Sequence, residues 1–159
     1  MYNAGILAYG YNNNEIVFLL GKDSKWKQWS DFGGKNDPID YNVIYKTATR
    51  EFYEESIGIV YDIIQVNEYI KNTKYIKSKS YKNFDYYMYF MKVPYSTDYI
   101  NDFLILKQFN LPIPQKYKEK IELRWFTLQE ILKNTKEYEM RSVFLKSVVN
   151  NIEIFNNLK

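Results

Sequence analysis

The stretch REFYEES carries Glu51, Glu54 and Glu55 within five residues, directly after Arg50. Residues 41–56 also place Ile44, Ala48 and Phe52 at four-residue spacing, which predicts a helix. Spacings of three and four make the glutamates neighbours on one helix face. Like charges so arranged repel, so the face must be solvated or must hold a cation. On its own, E-x-x-E-E is an ordinary solvated helix face with Arg50 as a surface partner. Upstream, however, lies the glycine pair Gly33-Gly34 followed by Lys35. Such a pair lets backbone turn tightly and approach a metal or a phosphate. Carboxylates, close backbone and a lysine together suit hydrolysis of a phosphoanhydride.

The residue inventory narrows the chemistry. The 159-residue chain contains no histidine and no cysteine. Ser-His and Cys-His catalysis, thiolate metal sites and disulfides are therefore excluded. A protein metal site must use oxygen ligands, which favour Mg²⁺, Mn²⁺ or Ca²⁺. The net charge of +3 says little about partners. Arg50, Arg124 and Arg141 are the only arginines; lysine supplies the other basic residues. No apolar run approaches the ~20 residues of a membrane span. The N-terminus MYNAGILAYG lacks a basic region before an apolar stretch. The expectation is one soluble domain over residues 1–159, cytoplasmic, with no membrane partner. The abundance of Ile, Lys, Asn, Tyr and Phe suits an AT-rich genome such as a virus or a protist has; for a viral protein the compartment would be the host cytoplasm.

Along the chain, residues 4–9 and 15–21 read as a hairpin across NNN. The loop KDSKWKQWSDFGGK brings Trp26 and Trp29 to the glycine turn, and Gly58 stands where the following helix would be capped. YDIIQVNEYIKN and FDYYMYFMKV read as strands, separated by the lysine-rich hairpin or loop KNTKYIKSKSYK. Ser96-Thr97-Asp98 can cap a helix reaching about Phe109, which LPIPQ ends. IELRWF is a strand, TLQEILKN a short helix begun at Thr127, and EYEMRSVFLKSVVNNIEIF a terminal helix. Strands and helices mix without regular alternation, which favours an α+β class or a mixed sheet between helices.

The segment resembles the signature of the Nudix hydrolases, G-x5-E-x7-R-E-U-x-E-E-x-G-U, with U a bulky aliphatic. Gly34 matches the first glycine, and Arg50-Glu51-Phe52-Tyr53-Glu54-Glu55 matches R-E-U-x-E-E. The preceding WSDFGGK, the early hairpin and ELRWFTLQEIL fit the family's layout over nearly the whole chain. Three departures stand out. Asp40 replaces the first glutamate, the segment from Gly34 to Arg50 is two residues longer, and Ile57 is inserted before Gly58. Asp40 serves either as a helix N-cap or at the site.

The resemblance implies an α/β/α sandwich with a mixed β-sheet. It also implies Mg²⁺- or Mn²⁺-dependent hydrolysis of a nucleoside diphosphate linked to another group. Glu51, Glu54 and Glu55 would ligate metal, with the Gly33 carbonyl as a further ligand. Arg50 would orient the glutamates and Lys35 would contact phosphate. Relatives often add a glutamate from a loop facing the helix as general base or ligand. Glu119, in a loop, is preferred here over Glu122, which alternates with Leu123 on a strand.

The substrate stays open in the sequence. Lys71, Lys74, Lys77, Lys79 and Lys82, with Tyr75 and Tyr81, form either a solvated hairpin or a groove for a polyphosphate or an RNA 5′ end. Lys77 and Lys79 are the groove's candidate substrate contacts. Trp29 could stack on a base or pack under the glycine turn; Trp125 reads as core. The alternatives within the enzyme class are a small-nucleotide pyrophosphohydrolase, a decapping enzyme acting on mRNA and a diphosphoinositol-polyphosphate hydrolase. The alternative from another class is a catalytically idle nucleotide- or RNA-binding module. The intact Arg50, Glu51, Glu54 and Glu55 favour an enzyme.

Overall fold

In a computed structural model of the protein, residues 1–80, 82–109 and 112–158 are described; Tyr81 lies outside them. The hairpin expected from the sequence is present and longer: β1 spans Tyr2–Asn12 and β2 spans Glu15–Asp23. Two short strands follow, β3 (Trp29–Ser30) and β4 (Phe32–Lys35). After a 3-10 turn at Pro38–Asp40 comes α1, Ile44–Ser56, which carries the acidic motif. The remaining elements are α2 (Ile63–Ile70), β5 (Tyr75–Lys79), β6 (Asp85–Lys92), α3 (Asp98–Gln108), a 3-10 turn at Gln115–Lys118, β7 (Lys120–Thr127), α4 (Leu128–Lys133), α5 (Ser142–Asn150) and α6 (Ile152–Asn156).

The strands form one mixed sheet in the order β3-β2-β1-β6-β5. β1 is its axis. One edge runs parallel to β6 from Tyr2↔Asp85 to Tyr9↔Lys92. Its other edge is shared by β4, opposite residues 3–6, and β2, opposite residues 8–12. β7 pairs with the far edge of β2. Side chains alternate across the strand with period two. Ala4, Ile6 and Ala8 pack beneath α1 and α2, with Phe52, Val66, Ile70 and Phe103 of α3. Leu7 and Tyr9 face the opposite layer, with Ile131, Phe144, Val148 and Phe155 from α4 to α6. Two helical layers thus cover one sheet, the expected α/β/α sandwich. No helix among the described residues is long and apolar enough to cross a membrane.

Two sequence expectations are corrected. YDIIQVNEYIKN contains the helix α2, not a strand. The apolar-rich segment is too short for periodicity to separate the two. The deciding signal is its start. Asp62 accepts from the Gln65 N–H at 2.8 Å, while the Gln65 side chain accepts from the Asp62 N–H at 3.1 Å, a reciprocal cap. The terminal helix begins only at Ser142 and breaks at Asn151 into α5 and α6. Residues 137–141 are instead drawn to β3: the Trp29 N–H bonds to the Glu139 carbonyl, and the Arg141 N–H to the Trp29 carbonyl. Replacing the cap, Asp62→Ala, should lower stability by about 1 kcal/mol in urea unfolding. An unchanged midpoint would show that packing of Val66 and Ile70 alone holds α2.

Candidate active site

α1 packs across β1 and the glycine strand β4, which lie side by side in the sheet. Gly34 leaves space there: a Cβ at this position would stand 2.5 Å from Glu51 Oε2. A side chain at Gly34 would therefore displace the Glu51 carboxylate. Next to it, the Gly33 N–H donates to Glu55 Oε2 at 2.8 Å. Gly33 thus meets the cluster through its amide N–H.

Arg50 organises the acidic face. Its Nε and Nη2 grip both oxygens of Asp40, at 2.9 and 3.0 Å. Nη1 reaches Glu51 Oε1 at 2.8 Å and Glu54 Oε2 at 3.2 Å, and Nη2 also reaches the Lys35 carbonyl at 2.8 Å. Asp40 is buried and additionally accepts from the Thr47 hydroxyl and the Asp37 N–H. Burial alone would raise its pKa. The bonds from Arg50, Asp37 and Thr47 outweigh that and hold it below the ordinary carboxylate range. Asp40 is not the N-cap of α1, a place taken by Val43. It anchors Arg50.

The three glutamates differ in their surroundings. Burial pushes Glu51 up to about 7 against the pull of Arg50, with Glu54 and Glu119 adding repulsion. Glu55 is pushed up to about 8, again by burial first, with Lys120 opposing and Glu51 and Glu119 repelling. Glu54 is also buried, and its second oxygen is taken by Lys116 Nζ at 2.5 Å from the 3-10 turn after α3.

A cavity of about 450 Å³ opens beside Glu51. Glu119, Lys35, Gly33 and Gly34 line it, and so do Asp31, Lys82, Phe84, Tyr86, Arg141 and Phe144. Glu122 faces solvent opposite Lys22, at 3.6 Å. Lys77 and Lys79 do not reach the cavity: both pair with Asp85, at 3.0 and 2.7 Å. Trp29 offers no face to a substrate. It is 1% exposed and packs against Phe126, with ring centres 5.0 Å apart, in the α4–α6 layer.

Beneath the cavity lies a polar group that the sequence conceals. Lys120 is 2% exposed, donates to Ser30 Oγ at 2.9 Å and stands 3.8 Å from Glu55 Oε1. Buried Asp31 accepts from the Tyr86 hydroxyl. Burial raises the Asp31 pKa, opposed by that bond and by Lys120 and Arg141. Lys120 shares the period-two alternation of Glu122 and Arg124, so nothing in its neighbours marks it as buried.

No protein-family model matches the chain, and no curated protein matches it by sequence. Solved structures do. The chain resembles the C. elegans Ap4A hydrolase in a binary complex over 98% of its own length and 99% of the other, with a TM-score of 0.64 and 15% identity. It matches RenU, a Nudix hydrolase of M. smegmatis, over 99% and 87%, with a TM-score of 0.58 and 14% identity. The Nudix domain of Shewanella oneidensis NrtR, solved with ADP-ribose, matches over 96% and 88%, with a TM-score of 0.57 and 13% identity. The chain has the Nudix fold.

Within that fold the departures from the Nudix signature find physical explanations. The longer segment before Arg50 forms the 3-10 turn that presents Asp40. The inserted Ile57 takes the left-handed conformation (φ 57°) at the end of α1, and Gly58 follows with φ 66°. Among the described residues, no three acidic side chains converge on one point, because Arg50, Lys116, Lys120 and the Gly33 N–H engage them. The donor chemistry nevertheless fits a hard divalent cation, being all oxygen. Two of the carboxyls, Glu51 and Glu55, are moreover held protonated more readily than in water.

Those raised values fix a sign. The folded state keeps protons on Glu51 and Glu55 that the unfolded chain has released, so this contribution to stability falls as pH rises from about 4.5 through about 8. In a chelator the melting temperature should therefore decline between pH 5.5 and 8.5, and Glu55→Gln should flatten the decline. A variant with the wild-type slope would place the titration elsewhere.

Proposed function

We propose that the protein is a divalent-metal-dependent pyrophosphohydrolase of nucleotide-type substrates, a single Nudix domain. The observation that carries this reading is the Arg50 fork. It holds Glu51 and Glu54 on one helix face beside a glycine strand, with Glu51 at the wall of a cavity lined by both cations and aromatic rings. Glu51, Glu54 and Glu55 would hold Mg²⁺ or Mn²⁺. Such a cation would neutralise phosphate charge and lower the pKa of the attacking water. Arg50 keeps Glu51 and Glu54 in register, and Glu55 is steadied by the Gly33 N–H and Lys120. Glu119, which lines the same cavity as Glu51, is the candidate general base. Lys35, Lys82 and Arg141, which line the cavity, would take phosphate oxygens, and Phe84 and Phe144 would meet the apolar part of the substrate.

Charge favours a small nucleotide over the more anionic alternatives. The three cavity cations face Asp31, Glu51 and Glu119 in the same cavity. A diphosphoinositol polyphosphate or a capped RNA needs a larger surplus of positive charge. The lysine-rich hairpin, whose Lys77 and Lys79 are engaged by Asp85, gives that reading little support. The similar structures solved as an Ap4A hydrolase and with ADP-ribose point the same way.

Glu54→Gln tests the mechanism. Lys116, half-exposed, can turn to water when the charge of Glu54 is removed, so the variant should fold. Turnover with Mg²⁺, which a chelator should abolish in the wild type, should fall by about a hundredfold or more. The wild type should melt higher with Mg²⁺ through mass action, and the variant much less so. Wild-type turnover together with wild-type metal stabilisation would return the acidic face to solvated surface and leave a Nudix-fold binding module.

A further inference from the structure

A second concavity, also of about 450 Å³, is lined by α1, by the 3-10 turn at Pro38–Asp40, by the start of α2 and by the 3-10 turn at Gln115–Lys118. Its apolar lining is Ile39, Ile63, Ile64, Tyr53 and Tyr117. Arg50 links it to the first cavity. Arg50 Nη1 bonds both to Glu51, which lines the first, and to Glu54, which lines the second. The proposed metal ligands are thus shared between two concavities. Phosphates held there carry an organic group at each end, and only the first cavity has been given an occupant.

The second one is apolar without need of the core. Ile39 is 66% exposed, Ile63 44% and Ile64 72%. α2 buries Val66 and Ile70, so its packing does not call on Ile63 or Ile64. A single exposed isoleucine is ordinary. Three of them from two segments, lining one groove with two tyrosines, make an apolar binding surface. Ile39 belongs to the segment that is two residues longer than the Nudix signature, so the groove is partly built by a feature in which this chain departs from that pattern.

We infer that this groove receives the second organic group of the substrate, across the phosphates from the first, and that the group is a nucleobase rather than a bare sugar. The inference rests on the hydrolase reading, which places the phosphates at Glu51 and Glu54. A base offers flat apolar faces to the isoleucines and tyrosines. A sugar alone would set hydroxyls against them without partners. Lys46, Arg50 and Lys116 line the groove against two carboxylates, Asp40 and Glu54, so its charge suits an anionic nucleotide.

The probes are diadenosine diphosphate and ADP-ribose, each with a methylene group in place of the bridging oxygen so that no hydrolysis intervenes. Both join ADP to a second ribose at equal charge, and only the first has a base on that ribose. In calorimetric titration with Mg²⁺ the wild type should bind the dinucleoside at least about tenfold more tightly, beyond the twofold that its symmetry supplies. Ile39→Ser combined with Ile64→Ser, at exposed positions where folding is safe, should bring the two within about threefold. Leu132→Ser, an exposed leucine of α4, should keep the wild-type ratio. A wild-type ratio of twofold or less, no measurable binding of either probe, or an undiminished ratio in the double variant would overturn the inference. Turnover of unmodified nucleotides without this preference sinks only the groove. The preference without turnover of the unmodified dinucleoside sinks only the enzyme.

Discussion

One guanidinium ties the functional end of the molecule together. Arg50 sits on α1, yet its bonds run to the 3-10 turn at Asp40, to the β4 carbonyl of Lys35 and to two glutamates of its own helix. A planar fork can grip Asp40 with two nitrogens and still extend a third to Glu51 and Glu54. A lysine ammonium offers no such geometry. The position of the glutamates therefore depends on the loop that delivers Asp40, and the shorter aspartate side chain is matched by a longer loop.

A second constraint lies below the first. Glu55, Asp31 and Lys120 are all buried, with Ser30 and Tyr86 as hydrogen-bond partners. A buried charge survives only when it is paired and hydrogen-bonded. Lys120 supplies that pairing at the base of the acidic cluster, and Lys116 supplies it from outside at Glu54. At rest the cluster is thus held by the chain's own cations together with the protons that burial keeps on Glu51 and Glu55. Binding a divalent ion would mean exchanging one of these contacts, and the half-exposed Lys116 is far easier to release than the enclosed Lys120.

The sequence made some of this legible and concealed the rest for identifiable reasons. α1 showed because Ile44, Ala48 and Phe52 repeat at helical spacing over a long segment. The β1–β2 hairpin showed because two apolar runs flank a short polar turn. α2 was misread because its eight residues are apolar-rich and short, although Asp62 and Gln65 spelled out its cap. Trp29 looked like a stacking residue because indoles in glycine-rich loops can serve that way. Its burial follows from residues 139–141 pairing with β3, a contact more than a hundred residues away in sequence. Glu119 was legible as a loop carboxylate before a strand. Asp31 and Lys120 were not. They stand on segments far apart in sequence and come together only through the folding of the sheet, which no local spacing records.

Glu51, Glu54 and Glu55 form the proposed divalent-cation site, the first two held by Arg50 and the third by the Gly33 N–H. Crystals soaked in Mn²⁺ test it most directly, through the anomalous signal of the metal. The account predicts a strong peak among the carboxylates of Glu51, Glu54 and Glu55, with Lys116 released from Glu54. A map with no peak there, and with Lys116 still seated on Glu54 at saturating Mn²⁺, would contradict it.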